Sequence, residues 1–329
     1  MSVINALFII SGAFLIGTLL LFFLKGISQK YKFLVAQEIP LVGGVSLAIA
    51  FILTSTCFIY LNGIATRQTF GLIFASLLML GFGVIDDWRE LSVGVKFLLQ
   101  IIAALILVFF GIKTQIIFVG TVLNIVITII WVLAITNAFN HLDIMDGVAA
   151  LTALIVSVAF FLIAFLGHDL RSMIFSLALI ASILSFLVYN LPPAKVYMGN
   201  AGSHFLGFLL AAISLIISFA PMEKKIALLS PVLILGFPIY DTFFLILMRL
   251  LKKKIPFKKS NDHLVLRCLA MGYSKKKALY FVFFWNLFFV FAGIITYYAS
   301  YRQGIATVLI VLLAGVGLGK SMSKVRIND

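Results

Sequence analysis

The segment Asn137-Ala-Phe-Asn140-His141-Leu-Asp143-Ile-Met-Asp146-Gly147 decides how the chain is interpreted, because it places two asparagines, two aspartates and a histidine between long apolar runs. Residues 124–136 before it and residues 148–167 after it contain no charged side chain. Carboxylates inside a membrane or at its edge are costly and usually mark a functional site. The segment therefore predicts a site between two membrane-spanning helices. A plain solvated loop is the alternative.

Polar residues in this segment recur every three positions, at 137, 140, 143 and 146. Each step of three residues turns an α-helix by about 300°, so the four side chains drift by about 180° and cannot share one narrow stripe. The segment either wraps half of a helix or lines a helix end that opens into a loop. In the second case Gly147 would ease the turn.

The composition excludes a soluble globular domain. Of the 329 residues, 63% are hydrophobic, and the mean hydropathy is +1.20, which is more apolar surface than a soluble domain can bury. The sequence predicts an all-α polytopic integral membrane protein, with one transmembrane domain over residues 1–329 and about eleven transmembrane helices around a cytoplasm-facing active-site cleft. The predicted spans are residues 3–24, 43–62, 68–85, 95–112, 119–138, 148–167, 172–190, 203–220, 226–247, 279–298 and 303–319.

Positive charge is distributed unevenly between the predicted loops. Of the 25 Lys and Arg residues, 19 fall on one side, which the positive-inside rule assigns to the cytoplasm. The N-terminus is then predicted outside and the C-terminus inside. Nine of the 11 acidic residues fall on the cytoplasmic side as well, as expected of a polar site that faces it. The net charge of +14 is therefore assigned to the membrane surface and not to nucleic acid.

A second polar cluster, Asp86-Asp87-Trp88-Arg89-Glu90, ends an apolar run and is followed by Lys96. Adjacent carboxylates repel each other unless a cation or a proton intervenes. A hard divalent ion such as Mg²⁺, held by one or two carboxylates and a substrate phosphate, is the common solution. Lys96 could then meet a diphosphate. The alternative is a solvated Asp-Asp turn that pairs with Arg89.

Two further clusters lie on the predicted cytoplasmic side. The stretch 189–204 leads into a new span. Asn200 or Ser203 can cap that helix, and its N-terminus is a natural anion site, with a pure capping role as the alternative. The basic loop 249–277 contains His263 and Arg267, which are four residues apart, would share a helix face and could grip phosphate. For such a loop, binding of anionic lipid head groups is the alternative.

Taken together, these clusters resemble the polyprenyl-phosphate N-acetylhexosamine-1-phosphate transferases, the glycosyltransferase family 4 that includes phospho-MurNAc-pentapeptide translocase. The resemblance runs from Ile39 to about Ala278. The Asp-Asp pair of the family falls on Asp86 and Asp87, and its downstream Lys on Lys96. Its Asn-x-x-Asn-x-x-Asp-Gly-x-Asp-Gly motif and its later polar positions fall on Asn137, Asn140, Asp143, Asp146, Gly147, Asn190, Asp262, His263 and Arg267.

The chain departs from the family pattern at four places. Ile144 replaces the first Gly of the Asn-rich motif, and Asn200 stands where the family usually has a metal-binding Asp. The His-x-His-His of many members is reduced to His263-Leu-Val-Leu-Arg267. The Asp-x-Pro-Asn-x-Arg-Lys run of the family is missing, with Lys30 and Lys32 as its candidate substitutes.

The resemblance implies a Mg²⁺-dependent phosphoglycosyl transferase of the bacterial inner (plasma) membrane, with Mn²⁺ as the substitute metal. It would transfer a sugar 1-phosphate from a UDP-(N-acetyl)sugar to undecaprenyl phosphate, giving a lipid diphosphosugar and UMP. This is the first membrane step of cell-surface glycan synthesis, as in cell wall or lipopolysaccharide biosynthesis. The implied partners are the UDP-sugar, the polyprenyl phosphate and the lipid bilayer, with a homodimer left open.

The resemblance also implies roles for individual residues. Asp86 or Asp87 would deprotonate or position the lipid phosphate, and Asn140 and Asn200 would ligate the metal. The remaining positions are implied to bind substrate. Lys96, His263 and Arg267 would hold the diphosphate, and Asp143, Asp146 and Asn190 would shape the nucleoside pocket. Asn137 is implied to bind substrate without a more specific role.

Two other functions remain open at the level of the sequence. An ion-coupled transporter would use buried acids to carry protons or Na⁺, but transporter sites usually lie at the bilayer midplane between inverted repeats. Here the acids lie at one membrane edge, and no internal repeat is evident. A catalytically inactive, lipid-binding homologue is the second alternative, because of Asn200 and the shortened His loop.

Overall fold

The structure, a computed structural model, describes residues 1–217, 225–253, 261–325 and 327. The chain divides into two compact units, Met1–Ile217 and Ser218–Asp329. Whether residues 1–329 act as one transferase domain stays a prediction. Three lysines of the basic loop, Lys254, Lys258 and Lys259, lie outside the described residues.

The first unit consists of eight helices and a two-stranded antiparallel hairpin in which Val35 lies opposite Pro40. In chain order the elements are α1 (Val3–Tyr31), β1 (Val35–Ala36), β2 (Ile39–Pro40), α2 (Gly43–Leu61), α3 (Arg67–Trp88), α4 (Val93–Phe109), α5 (Gly120–Leu142), α6 (Val148–Leu166), α7 (Leu170–Asn190) and α8 (Gly199–Ile216).

The second unit is also helical. It contains a 3₁₀-helix (Lys225–Leu229), α9 (Ser230–Ile234), α10 (Gly236–Leu251), α11 (Leu264–Ala270), α12 (Lys275–Tyr298) and α13 (Tyr301–Ser323). The predicted span 226–247 is broken here: the segments Lys225–Ile234 and Gly236–Leu251 meet at an angle of 71°. Pro238, in the first turn of α10, has no N–H to donate back across the break.

The prediction of an all-α polytopic membrane protein is confirmed. Within the described residues, nine helices are long and apolar enough to cross a bilayer, and the number is ten if the bent pair is one span. The apolar helix α4 has 17 residues, which is at the lower limit for a span. The predicted count of eleven spans is therefore not confirmed.

Helix α8 is the central helix of the first unit, where it packs against α2, α3 and α5. Small residues allow this packing at its N-terminal end. A Cβ atom added to Gly44 on α2 would collide with the backbone of Gly202, and one added to Gly83 on α3 would collide with the backbone of Ala201. Because backbone lies directly against backbone, the end of α3 that carries the paired aspartates is held at the start of α8.

Local capping signals bring a second helix to the same end. Helix α3 ends at Trp88, and Ser92 begins α4 by accepting a hydrogen bond from the backbone N–H of Val95. The turn between them is short, so the last turn of α3 and the first turn of α4 lie together. Lys96, near the start of α4, therefore lies close to Asp86 in the last turn of α3.

Candidate active site

The Asn-rich segment lines a helix end, which is the second of the two arrangements that its spacing allows. Asn137 and Asn140 lie in the last turns of α5, and Asp143 follows the helix as its C-cap residue. Asp146 lies in the loop, and Gly147 adopts a φ of +82° before α6 begins. Such a positive φ is costly for residues with a side chain, which explains the glycine.

The carboxylate of Asp87 caps the N-terminus of α8. Its Oδ1 accepts a hydrogen bond from the backbone N–H of Asn200 at 2.7 Å, and its Oδ2 accepts one from Ala201 at 2.9 Å. Helix N-termini carry unsatisfied N–H groups and partial positive charge, so a carboxylate is well placed there. Gly199 has a φ of +71°, and a Cβ atom on it would strike the Asp87 carboxylate. The anion site at this helix end is thus filled by a residue from α3.

The expectation that the side chain of Asn200 or Ser203 caps α8 is wrong. The helix begins four residues before the predicted span, its N-cap residue is Met198, and no side chain of the cap residue bonds to it. The two side chains instead meet Asn140, whose Nδ2 donates to Asn200 Oδ1 at 3.1 Å and to Ser203 Oγ at 3.0 Å. They are free to do so because Asp87 supplies the cap.

Asp86 points into the protein and is 3% exposed. Its Oδ1 accepts a hydrogen bond from the backbone N–H of Leu91 at 2.9 Å. Its Oδ2 lies 2.7 Å from Lys96 Nζ and 3.9 Å from His204 Nε2. The alternative of a solvated Asp-Asp turn paired with Arg89 is therefore wrong for Asp86.

Asn137 is bonded to the neighbouring helix. Its Nδ2 donates to Gln100 Oε1 on α4 at 2.7 Å and to the carbonyl of Leu133 at 2.8 Å, and Gln100 Nε2 donates back to Asn137 Oδ1 at 3.4 Å. This amide pair ties α4 to α5 just behind Asn140.

Asn190 and Asp146 connect the two loops beside the site. Asn190 is buried; its Oδ1 accepts from the backbone N–H of Gly147 at 2.9 Å, and its Nδ2 donates to the carbonyl of Val196 at 2.9 Å. Asp146 Oδ2 accepts from the backbone N–H of Ala194 at 3.3 Å. These bonds hold the loop after α5 against the loop before α8.

Negative charge is concentrated around Asp143. Burial, and then the charges of Asp87 and Asp146, raise the pKa of this carboxyl to about 7. Carboxylates that destabilise one another in this way favour the binding of a proton or a cation. A proton or a cation would relieve the repulsion that Asp87 and Asp146 exert on Asp143.

The oxygen atoms at this end suit a hard divalent cation. The amides of Asn140 and Asn200 are hydrogen-bonded to each other, and Asp87 and Asp143 add charge beside them. No group of three or more His, Cys, Asp or Glu residues that could hold a metal occurs in the part of the chain that the structure describes. A set of amide oxygens with one or two carboxylates fits Mg²⁺, which is usually completed by water and substrate phosphate.

In the second unit, His263 is the N-cap residue of the short helix α11 and Arg267 lies in its last turn, and the two side chains have different partners. His263 Nδ1 lies 2.7 Å from Asp241 Oδ2, and Asp241 Oδ1 accepts from the backbone N–H of Leu264 at 2.9 Å. His263 is buried. Asp241 therefore orients the imidazole and the first turn of α11 together.

Arg267 is also buried, and its guanidinium is bonded to protein groups. It pairs with Asp262 and donates to the carbonyls of Met322 at 2.8 Å and Val325 at 2.7 Å. Lys252 Nζ lies 2.8 Å from the same Asp262 carboxylate. Contacts of His263 and Arg267 with a diphosphate stay predictions.

The structure adds a residue to which the sequence analysis assigned no role. His204 is 1% exposed and lies beside Asp86. It follows Asn200 by one helical turn, so the i, i+4 spacing on α8 already placed both residues on one face. This spacing is the feature of the sequence that indicates a place for His204 near the site.

The described helices form a polytopic membrane protein that gathers paired aspartates and asparagines at one end of its first unit. The chain belongs to glycosyl transferase family 4, whose sequence profile matches residues 69–218. It is 31% identical over 259 residues to the "Probable undecaprenyl-phosphate N-acetylglucosaminyl 1-phosphate transferase" of Bacillus subtilis. The aligned residues make up 75% of this chain and 71% of the relative. The resemblance inferred from the sequence motifs is confirmed.

Relatives from distant bacteria carry related names. The chain is 31% identical over 229 residues to the "Undecaprenyl-phosphate alpha-N-acetylglucosaminyl 1-phosphate transferase" of Thermotoga maritima, covering 69% of this chain and 67% of the relative. It is 29% identical over 311 residues to the "Decaprenyl-phosphate N-acetylglucosaminephosphotransferase" of Mycobacterium tuberculosis, covering 85% of this chain and 76% of the relative.

Proposed function

We propose that this enzyme transfers a sugar 1-phosphate from a UDP-(N-acetyl)sugar to undecaprenyl phosphate, releasing UMP. UDP-N-acetylglucosamine is the first donor to test, because the relatives act on N-acetylglucosamine according to their names. The observation that carries the proposal is the meeting of Asp86, Asp87, Asn140 and Asn200 at one end of the first unit. The product would be the first membrane-bound intermediate of a cell-surface glycan such as the cell wall.

The reaction exchanges one phosphoanhydride bond for another. An oxygen of the lipid phosphate forms a bond to the β-phosphorus of the donor, the bond from that phosphorus to the bridging oxygen breaks, and UMP leaves with that oxygen. Both reactants are anions, so the protein must offset their repulsion and align them in line. The apolar helices suit the polyprenyl chain, and the polar end suits the nucleotide.

The residues at this end have complementary tasks in the proposed reaction. Asp86 or Asp87 would position the lipid phosphate or accept its proton, and Lys96 would turn from Asp86 to the donor diphosphate. Asp143, Asp146 and the residues bonded to them would shape the nucleoside site. His263 and Arg267 would contribute to the diphosphate site as the family pattern implies.

Asn140 and Asn200 would hold Mg²⁺ or Mn²⁺, which when bound neutralises charge on the diphosphate. The roles can be separated by substitution, because the side chain of Asn200 does not cap α8. Asn200→Asp should lower the Mg²⁺ concentration needed for half-maximal UMP release, since a carboxylate binds the ion more strongly. Asn200→Ser should raise it. Unchanged Mg²⁺ dependence of both variants would remove Asn200 from the metal site.

We further propose that the site faces the cytoplasm of a bacterial inner membrane, with the N-terminus outside. The support is the bias of 19 among the 25 basic residues. In the described residues the polar ends of α3, α5 and α8 lie together, so a single orientation would present all of them to UDP-sugar on the same side.

The test is UMP release by the purified protein in detergent with undecaprenyl phosphate, Mg²⁺ and a panel of UDP-sugars. Release should require the lipid and give a lipid diphosphosugar. Asp86→Asn and Asp87→Asn should each lower the rate at least about a hundredfold per folded molecule, roughly 2.7 kcal/mol of barrier. Lipid binding without UMP release would favour an inactive homologue. Ion flux driven by substrate in proteoliposomes, again without UMP release, would favour a transporter.

A further inference from the structure

His204 is a buried side chain beside the aspartate pair. It lies on α8, and its ring packs on Phe82 with the ring centres 4.9 Å apart. Within the described residues neither ring nitrogen has a hydrogen-bond partner. Buried polar groups are nearly always hydrogen-bonded in native proteins, so an exception needs an explanation.

The imidazole faces the Asp86 carboxylate. Its Nε2 lies 3.9 Å from Asp86 Oδ2, about one ångström beyond hydrogen-bond distance. The same oxygen lies 2.7 Å from Lys96 Nζ. The side chain of Lys96 is 22% exposed, whereas that of His204 is 1% exposed. One partner of Asp86 therefore reaches it from a partly open position on a flexible stem, and the other is enclosed.

We propose that Lys96 and His204 are alternative partners of Asp86. In the substrate-free protein Lys96 holds the carboxylate. When Lys96 turns to the donor diphosphate, the N–H at Nε2 of His204 closes the remaining gap and donates to Asp86 Oδ2. This inference rests on the proposed function for the role of Lys96 as a diphosphate ligand, and it requires no proton transfer.

The physical reason is the cost of a buried charge. Removing one partner of a buried ion pair is strongly destabilising, because the other charge is left without compensation. Without a second donor, each movement of Lys96 to substrate would leave Asp86 in that state. His204 lowers this cost and keeps the carboxylate in position. It is thus a positioning residue that acts through Asp86.

The first test needs no substrate and uses a double-mutant cycle on thermal unfolding in detergent. Lys96→Met removes the first partner, and His204→Phe removes both ring nitrogens while keeping a ring against Phe82. Each single variant should lower the unfolding midpoint only slightly, because one partner remains. The unfolding midpoint of the double variant should fall by far more than the sum of the two single shifts. Additive shifts would overturn the proposal.

A second variant keeps the test informative if the double variant does not fold. Gln at position 204 offers an N–H donor at a similar reach, so Lys96→Met with His204→Gln should fold and unfold near the midpoint of Lys96→Met alone. If Lys96→Met with His204→Gln is as unstable as Lys96→Met with His204→Phe, the donor at position 204 is irrelevant and the proposal fails.

The third measurement concerns the exchange itself. Binding of UDP-N-acetylglucosamine with Mg²⁺, measured by calorimetry without lipid acceptor, should weaken by about 10-fold in His204→Phe and recover in His204→Gln. In the Lys96→Met background His204→Phe should have no such effect. If the nucleotide does not bind to the wild-type protein, the proposed function fails, whereas the thermal cycle still decides whether the two partners of Asp86 are alternatives.

Discussion

Replacement of Asp87 by Asn should destabilise the fold as well as the activity. Asp87→Asn keeps the size of the side chain and removes its charge. In the wild-type protein both carboxylate oxygens accept from backbone N–H groups of α8, at 2.7 and 2.9 Å. An amide has one oxygen, so one of these N–H groups would face the amide nitrogen and lose its acceptor.

The magnitude follows from these two bonds. A hydrogen bond to a charged group contributes about 1.5–3 kcal/mol, and a neutral one about 1 kcal/mol. The variant loses one charged bond and weakens the other, and it also loses about 0.3–1 kcal/mol of favourable interaction with the helix dipole. These losses add up to about 3 kcal/mol, but the neutral amide also relieves the repulsion between Asp87 and Asp143, so we expect a net loss of about 1–2 kcal/mol in the free energy of unfolding.

The assay is the midpoint of thermal unfolding in detergent, followed by size-exclusion chromatography of the remaining folded protein. Glu90→Gln is the matched control, because Glu90 is an exposed acid near the same helix end, and its midpoint should stay close to wild type. Asp87→Asn should unfold at a clearly lower temperature. A midpoint equal to that of Glu90→Gln would show that the cap on α8 contributes nothing.

Three further results are expected. Asn190→Leu should cost about 1–3 kcal/mol in the free energy of unfolding, because the N–H of Gly147 and the carbonyl of Val196 lose their buried partner; a thermal midpoint equal to wild type would contradict this. Folding raises the pKa of Asp143 from 3.8 to about 7. Between these two pH values the folded state still holds a proton on Asp143 that the unfolded chain has lost, so the free energy of unfolding falls as the pH rises from one value to the other. Thermal midpoints in metal-free buffer should show this slope in wild type and a flatter one in Asp143→Asn, and equal slopes would be the opposite result. For sidedness, a single cysteine at Lys276 in a chain without Cys57 and Cys268 should react with impermeant maleimide only after the inner face is opened, and one at Ala65 should react in intact cells; the reverse pattern would place the site outside.

The fold class and the position of the polar end could be predicted from the sequence because both depend on local composition. Apolar runs of about twenty residues have to become helices in a bilayer, where every backbone polar group needs an internal partner. The spacing of Asn137, Asn140, Asp143 and Asp146 limited that segment to two arrangements, and the helix end with Gly147 is the one that forms.

What could not be predicted were contacts between helices that are far apart in the sequence. Nothing near Asn200 indicates that an aspartate from α3 caps α8, so the sequence suggested a local cap and a later helix start. The bend between α9 and α10 and the carbonyl partners of Arg267 likewise depend on tertiary packing. His204 could have been noticed from its spacing, but only the structure places it against Asp86.

The separation of Asp87 from its partners has a consequence for biogenesis. Its backbone N–H partners lie 113 and 114 residues later in the chain, whereas Lys96, the partner of Asp86, follows within the next helix. During synthesis α3 therefore enters the membrane with one aspartate already close to its counter-charge and the other waiting for α8. A ribosome that stalls before α8 would leave this second carboxylate uncompensated at the membrane edge.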